Sequence, residues 1–539
     1  MTADVDAIME VNAPESGGPP AFVPKSVAKH LISGTSALGL GIIVERGFGF
    51  LANLLAARLG GASTFGAYAL AITTANNISA YAAGGIGSTA IRFSGKYPRE
   101  SAGYATLSRV LLIISLISAA VAAAGLWAGA APIAHLLGKD SLTGLLKWAA
   151  LSAAGMIMLE CCRGFLVGQR RLAAILLLSC VVGVGMITLL PAASRVGPTH
   201  MIASQGCITL AAVFLCLLFY KPLGLAPLAG SPSSQAVGPM LRSVWSFGII
   251  QLAGLIGMNA AGWWLTSLVA KADTSMVQMG FFAISLQLRN MVALAPSLLT
   301  ESGLAVMAQG EDDHRNAPDQ VMALCTFANV FASLLVAGLG IIIVPWGLTA
   351  LYGRSYALAA AASAVALATA VVHMGSGPAS ARLSILSIRL SGVVNTVWAI
   401  FVATAATLFL WSAKGTGGVA WKGALIYLAA HLISTALIMA VLSRRKCLPK
   451  GMTGVIALGA VVALILAALA FVRILKPWLT LPISLLMSGI CIVTLASMLR
   501  IGNRHRWVPS IAMLKQMLRS KGLLPALAVE TPTSGGFDA

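Results

Sequence analysis

Acidic residues are scarce in this chain, with 16 aspartates and glutamates against 36 lysines and arginines in 539 residues. Charged residues of both signs make up only 10% of the sequence, whereas 58% is hydrophobic and the mean hydropathy is +0.89. So little charge excludes an ordinary soluble domain. The alternation of polar and apolar residues that a membrane barrel needs is missing too. The eight cysteines, Cys161, Cys162, Cys180, Cys207, Cys216, Cys325, Cys447 and Cys491, form no C-x-x-C pair and no histidine cluster at metal spacing. They read as small packing residues, and no cofactor is expected. There is no phosphate-binding glycine loop, no H-E-x-x-H and no G-x-S-x-G in a strand-turn-helix setting. No outer loop exceeds about 15 residues, too few for the extramembrane catalytic domain of a glycosyltransferase or ligase. An enzyme is therefore not expected. The net charge of +20 requires no nucleic acid, because the basic segment "RWVPSIAMLKQMLRSKG" suits the anionic surface of membrane lipids.

What is present is a series of about fourteen apolar runs, each near the roughly 20 residues that cross a bilayer. They begin at Leu31 and end with the run that starts at Trp478. The expected fold is an all-α integral membrane protein with about 14 transmembrane helices. Two six-helix pseudo-symmetric lobes surround a central cavity, followed by a C-terminal helix pair. The expected organisation is a disordered leader over 1–30, an N-lobe over 31–220 and a linker over 221–240. A C-lobe over 241–443, a terminal pair over 444–500 and a basic tail over 501–539 follow. The tenth run carries Gly375, Gly377 and Pro378, so a bend or break is expected there. With both termini placed in the cytoplasm, about two thirds of the lysines and arginines fall on the inner side, as the positive-inside rule requires.

An internal repeat supports two lobes. An offset of 214 lays Gly66-Ala67-Tyr68-Ala69 over Gly280-Phe281-Phe282-Ala283 and Asn76 over Asn290. The long polar break "YKPLGLAPLAGSPSSQAVGPM" falls between the two copies.

Charges at membrane depth are costly and mark function or pairing. In "GIIVERGFGF" Glu45 and Arg46 are adjacent, yet neighbours on a helix diverge by about 100° and cannot cancel each other. Each must find another partner. Gly39, Gly49 and Asn53 share the face of Arg46, while Gln278, Ser285 and Arg289 share one face of the eighth run. Thr73, Asn77 and Tyr81 line up in the second. Together these describe a wet, cationic cavity between the lobes. Asn76, Asn77, Asn53, Gln251, Asn259 and Gln278 are candidate sugar contacts or interhelical glue. Glu160 stands one turn from Arg163, where an intrahelical pair is expected. Glu45, Glu160 and His373 are candidate proton or ion carriers, and His373 and His431 equally suit hydrogen-bonded packing.

"FGAYALAITTANNISAYAAGGIGSTAIRFSGKY", "ERGFGFLANLLAARLGG" and "LQLRNMVALAPSLLTESGLAVMAQ" resemble the second, first and eighth spans of Wzx-type polysaccharide flippases. That family shares the MOP superfamily with MurJ-type lipid II flippases and MATE drug exporters. The resemblance implies a V-shaped transporter of undecaprenyl-pyrophosphate-linked oligosaccharide in a bacterial inner membrane, with the polymerase and export machinery of the same pathway as partners. It matches Arg46 and Arg289 to the family's cavity arginines, whose guanidinium forks suit pyrophosphate, and Arg92, a further pyrophosphate candidate, to the arginine that closes the second span. A lipid II flippase and a MATE-like cation exporter are the alternatives, although a cation exporter should hold carboxylates rather than arginines at its centre.

The topology is testable by reporter fusions. Fusions at Arg99, Arg170 and Arg445 are expected to report cytoplasmic, and fusions at Gly61, Lys139 and Lys414 periplasmic. A periplasmic signal at Arg170 would reverse the orientation.

Overall fold

A computed structural model describes residues 25–83, 85–95, 101–220, 256–309, 317–413, 415, 417–505 and 507. The described residues form helices and turns, with no strand. The helices are α1 (Lys25–Ala83), α2 (Ile86–Ser94), α3 (Ala102–Leu136), α4 (Thr143–Gly168), α5 (Leu172–Ser194), α6 (Pro198–Tyr220), α7 (256–272) and α8 (Val277–Gln309). They continue with α9 (Ala317–Tyr352), α10 (Ala360–Leu386), α11 (Ile388–Leu410), α12 (Val419–Arg444), α13 (Met452–Leu475) and α14 (Thr480–Arg504). Eleven helical stretches among the described residues are long and apolar enough to cross a membrane. Two arms of α1, separated at Gly61 (φ +76°), together with α7 bring the series to the fourteen runs of the sequence. Val121, Phe219 and Leu358 are among many large apolar side chains that point outward, as a lipid-facing surface requires. This is a multi-pass membrane protein.

The structure departs from the sequence expectations in three places. Residues 25–30, assigned to the leader, belong to α1; the leader before Lys25, the linker 221–240 and the tail beyond residue 507 lie outside the described residues. The second span is broken: α1 stops at Ala83 and α2 starts after Gly85, which takes the left-handed φ of +78° that glycine adopts without strain. The tenth span, in contrast, runs unbroken as α10 through Pro378. A proline frees the carbonyl four residues earlier, here Met374, and Asn329 Nδ2 from α9 donates to that oxygen at 3.3 Å. The same repair recurs in α9. Pro345 frees the Ile341 carbonyl, and Arg473 from α13, only 2% exposed, donates to Ile341 O at 2.9 Å and Ile342 O at 2.8 Å.

Helices α1 to α6 pack on one another and α8 to α12 form a second group around α10, with α13 and α14 laid against α9 and α10. The two groups meet at one end. Gly66 and Gly280 face each other across that junction with exact reciprocity. A Cβ on Gly66 would fall on the Met276 carbonyl oxygen, and a Cβ on Gly280 would fall on that of Ala62. Both pairs obey the offset of 214 read from the sequence. Around this crossing Ser63 Oγ donates to Ser275 O (2.6 Å), Tyr356 Oη to Ala57 O (3.1 Å) and Arg58 Nη1 to Ala350 O (3.0 Å). Lys139 Nζ donates to Thr274 O at 3.0 Å. Burial pushes the Lys139 ammonium below the usual lysine range, and the Asp273 carboxylate opposes that shift. Asp273 in turn accepts from the Ser275 and Met279 amides, fixing the turn into α8.

Replacing either glycine of the crossing by valine is expected to force the lobes apart at this end. Overpacking of this kind costs about 1–3 kcal/mol. The check is thermal unfolding in detergent: Gly66→Val and Gly280→Val should lower the midpoint similarly, whereas Gly47→Val, at a position with nothing within 4 Å of an added Cβ, should not match that drop.

Candidate functional site

Glu45 and Arg46 diverge as helical geometry demands. Gly41, Glu45 and Phe48 face α4 and α5: Gly41 lies against Ile175 and Ser179, and Phe48 against Gly183. There the Glu45 carboxylate takes an ion pair from Arg163 Nη2 at 2.6 Å and a hydrogen bond from Ser179 Oγ at 3.1 Å. The intrahelical Glu160–Arg163 pair is therefore not formed. Arg163 reaches across to α1, and Glu160 rests on Gly87 at the start of α2. The break in the second span leaves a cavity of about 360 Å³ there, lined by Asn76, Ser79, Ser88, Glu160 and Arg163 among others.

Arg46 lies on the opposite side of α1. Residues 46, 50, 53 and 57 share a helical face. Two carbonyls of that face accept from the other lobe, Phe50 O from Gln287 Nε2 at 3.1 Å and Ala57 O from Tyr356 Oη at 3.1 Å. The face thus looks across the junction between the lobes. Arg46 itself is exposed and has no hydrogen-bond or ion-pair partner among the described residues.

Arg289 follows Gln287 on α8. Helix α1 runs toward the junction and α8 runs away from it, so both arginines lie on the same side of the Phe50–Gln287 bond, facing away from the glycine crossing. At 1.5 Å per residue Arg46 is about 6 Å and Arg289 about 3 Å beyond it along their helices. The two cations therefore come from the two groups of helices and lie on one side of that bond. Arg289 Nη2 donates to Asn290 Oδ1 at 3.2 Å and its guanidinium lies 5.0 Å from the centroid of Tyr427, while Nη1 is buried without a hydrogen-bond partner. Ser285, expected on a wet face with Arg289, is instead fully buried and bonds Ser363 on α10.

The remaining candidates are scattered. Asn53 has a buried Oδ1 without a hydrogen-bond partner on the Arg46 face. Asn77 donates to Thr73 O and accepts from Tyr81, which makes the Thr73-Asn77-Tyr81 row a ladder along one helix. Asn76 opens onto the N-lobe cavity. Gln278 accepts from the Ala420 amide at the start of α12, an end-capping contact on the sealed side. Arg92, at the end of α2, lies 5.8 Å from the centroid of Phe93. Asn259 is half-buried in α7, and Gln251 lies outside the described residues. His373 and His431 stack on each other, with ring centroids 4.3 Å apart. Tyr427 and Trp398, which the sequence reading passed over, close around His431. The spacing of Tyr427 and His431, one turn apart on α12, was the available signal.

Residues 31–297 match a family model described as polysaccharide biosynthesis protein. That match spans just under half of the chain. No curated protein matches the chain in sequence. Solved structures show what the fold is similar to. A lipid II flippase MurJ in an inward closed conformation aligns at TM-score 0.62 and 13% identity, covering 87% of this chain and 99% of that one. An inward-facing multidrug resistance MATE family transporter of the MOP superfamily aligns at 0.59 and 15%, covering 74% and 95%. An outward-facing one aligns at 0.52 and 13%, covering 78% and 96%. The fold is that of MOP transporters.

The Glu45–Arg163 pair holds α1 to α4. Glu45→Ala leaves the arginine without its carboxylate and is expected to cost about 1.5–3 kcal/mol, the range for hydrogen bonds to charged groups. The double variant Glu45→Met, Arg163→Leu should recover part of that loss in detergent unfolding. Equal loss in the single and double variants would remove the strut role.

Proposed function

We propose that this chain translocates an undecaprenyl-pyrophosphate-linked oligosaccharide across the bacterial inner membrane for surface or exopolysaccharide synthesis. The observation that carries the reading is the placement of two arginines from two lobes on one side of the Phe50–Gln287 bridge. A pyrophosphate diester carries two negative charges, and one guanidinium fork from each lobe can match them. In a cavity screened from bulk water these contacts strengthen, and the carboxylates of the neighbourhood are kept away. Glu45 is engaged by Arg163 and Glu160 faces the separate N-lobe cavity. A cation exporter would need the reverse polarity. The lipid tail would stay in the bilayer while the head group crosses between the lobes, so the step is carriage and no bond is made or broken. The seal around Gly66 and Gly280, combined with cytoplasmic termini, has the cavity opening inward to receive substrate. Asn53, on the face of Arg46 but about 10 Å along α1 toward the crossing, is the amide of that face that a sugar hydroxyl could meet. Arg92, on α2, would serve as an outlying cation near the cavity mouth.

The test is a translocation assay with lipid-linked oligosaccharide, or complementation of a flippase-null strain, normalised to folded protein in detergent. Arg46→Lys and Arg289→Lys retain charge but lose the planar fork and should reduce transport at least tenfold, about 1.4 kcal/mol. The alanine variants should abolish it with membrane levels unchanged. Full transport by both alanine variants would overturn the assignment.

A further inference from the structure

His373 on α10 and His431 on α12 lie near-parallel, 26° apart, inside the C-lobe. Tyr427 stacks on His431 at 5.8 Å and receives the Arg289 guanidinium at 5.0 Å, so the imidazoles and the arginine form one connected cluster across α8, α10 and α12. On α8 the carboxylate is Glu301, the neighbour of Thr300, which lies near Gly377 one turn along α10 from His373; no contact joins a carboxylate to either ring among the described residues. On α9 the facing group is the neutral Asn329, and Asp319 is engaged by Arg382, which stands nine residues, about 13 Å, along α10 from His373. Helix α11 presents Trp398, with Arg389 nine residues away, and α12 itself places Lys422 nine residues from His431 toward the sealed end. Helix α13 carries no charge before Arg473, which is held at the Ile341 and Ile342 carbonyls.

We infer that the His373–His431 pair is a proton site linked to the anion site at Arg289, taking up one proton when a pyrophosphate binds and losing it when the pyrophosphate leaves. The inference rests on the pyrophosphate assignment of the preceding subsection and adds a second ligand to it. With the cavity empty, a proton on either ring is a positive charge placed beside an uncompensated guanidinium in a medium of low dielectric. An anion on Arg289 cancels that repulsion. Two imidazoles in ring contact repel each other once both are charged, so the pair holds one proton rather than two. Linkage is reciprocal: if the anion favours the proton, the proton favours the anion by the same factor. The balance is one imidazole lone pair and one proton from water in, and the same proton out, with no redox partner needed.

The experiment is isothermal titration of the full-length protein in detergent with a synthetic short-prenyl pyrophosphate glucoside. As a diester it does not itself titrate near neutral pH, so protons exchanged come from the protein. Repeating the titration in buffers of different ionisation enthalpy gives the protons taken up per anion bound. Between the pH at which the empty pair takes up its proton and the higher pH at which the anion-bound pair releases it, the wild-type protein is expected to take up close to one proton, with affinity falling toward tenfold per pH unit as pH rises through that window. His373→Gln, His431→Gln double variants, confirmed folded by their unfolding midpoint, should bind with that uptake and pH slope abolished. The wild-type pH slope is a measurement independent of whether the variants fold. Binding that is flat with pH and free of proton uptake would overturn the linkage while leaving the arginine site standing. Absence of binding by the wild-type protein at every pH would overturn both.

Discussion

The close approach of two backbones at Gly66 and Gly280 is the constraint on which the rest of the architecture depends. A helix crossing this tight admits no side chain on either partner, and it brings the Ala62 and Met276 carbonyls onto the opposing glycine. Once the lobes touch here, Ser63, Arg58, Tyr356 and Lys139 can reach backbone oxygens across the junction, and Gln287 can reach Phe50. Arg46 and Arg289 owe their position to the same crossing, because the arm of α1 that carries Arg46 ends beside it and α8, which carries Arg289, passes through it.

Charge placement follows a second rule, that an ion inside a low-dielectric bundle needs a partner or an aqueous outlet. Glu45 and Arg163 satisfy each other, and Arg473 is satisfied by carbonyls that a proline has left free. Arg382 has Asp319 at 3.7 Å. Arg46 has no such partner among the described residues and is exposed. Arg289 is met by an aromatic face and a neutral amide, neither of which cancels its charge. The distinction between structural and available cations is thus made by geometry, since residue type is the same in all five.

Much of the fold was legible in the sequence, because transmembrane length and apolar composition are local properties that one run of residues declares by itself. The repeat offset was legible for a related reason: Gly66 and Gly280 are each indispensable at the crossing, so the match between the lobes is carried by the residues that touch. The divergence of Glu45 from Arg46 followed from helical rotation alone. What could not be read was choice of partner. Arg163 lies one turn from Glu160 and much farther in sequence from Glu45, yet pairs with the latter because α1 packs against α4. The continuity of α10 through Pro378 depended on Asn329 from another helix, and the burial of Ser285 on Ser363 from α10. The break at Gly85 was written in the adjacent glycines but indistinguishable from the small-residue packing found throughout the chain.

The crossing also has a mechanical aspect. The first arm of α1, from residue 25 to residue 60, is about 54 Å long at 1.5 Å per residue, and the glycine junction sits at its far end. A rigid arm pivoting there through about 10° would sweep its free end across roughly 9 Å, comparable to the width of a sugar ring with its hydroxyls, while displacing the atoms beside the pivot by a fraction of an ångström. A fulcrum made of two glycines places the short side of the lever where packing is tightest and the long side where bulky cargo has to pass.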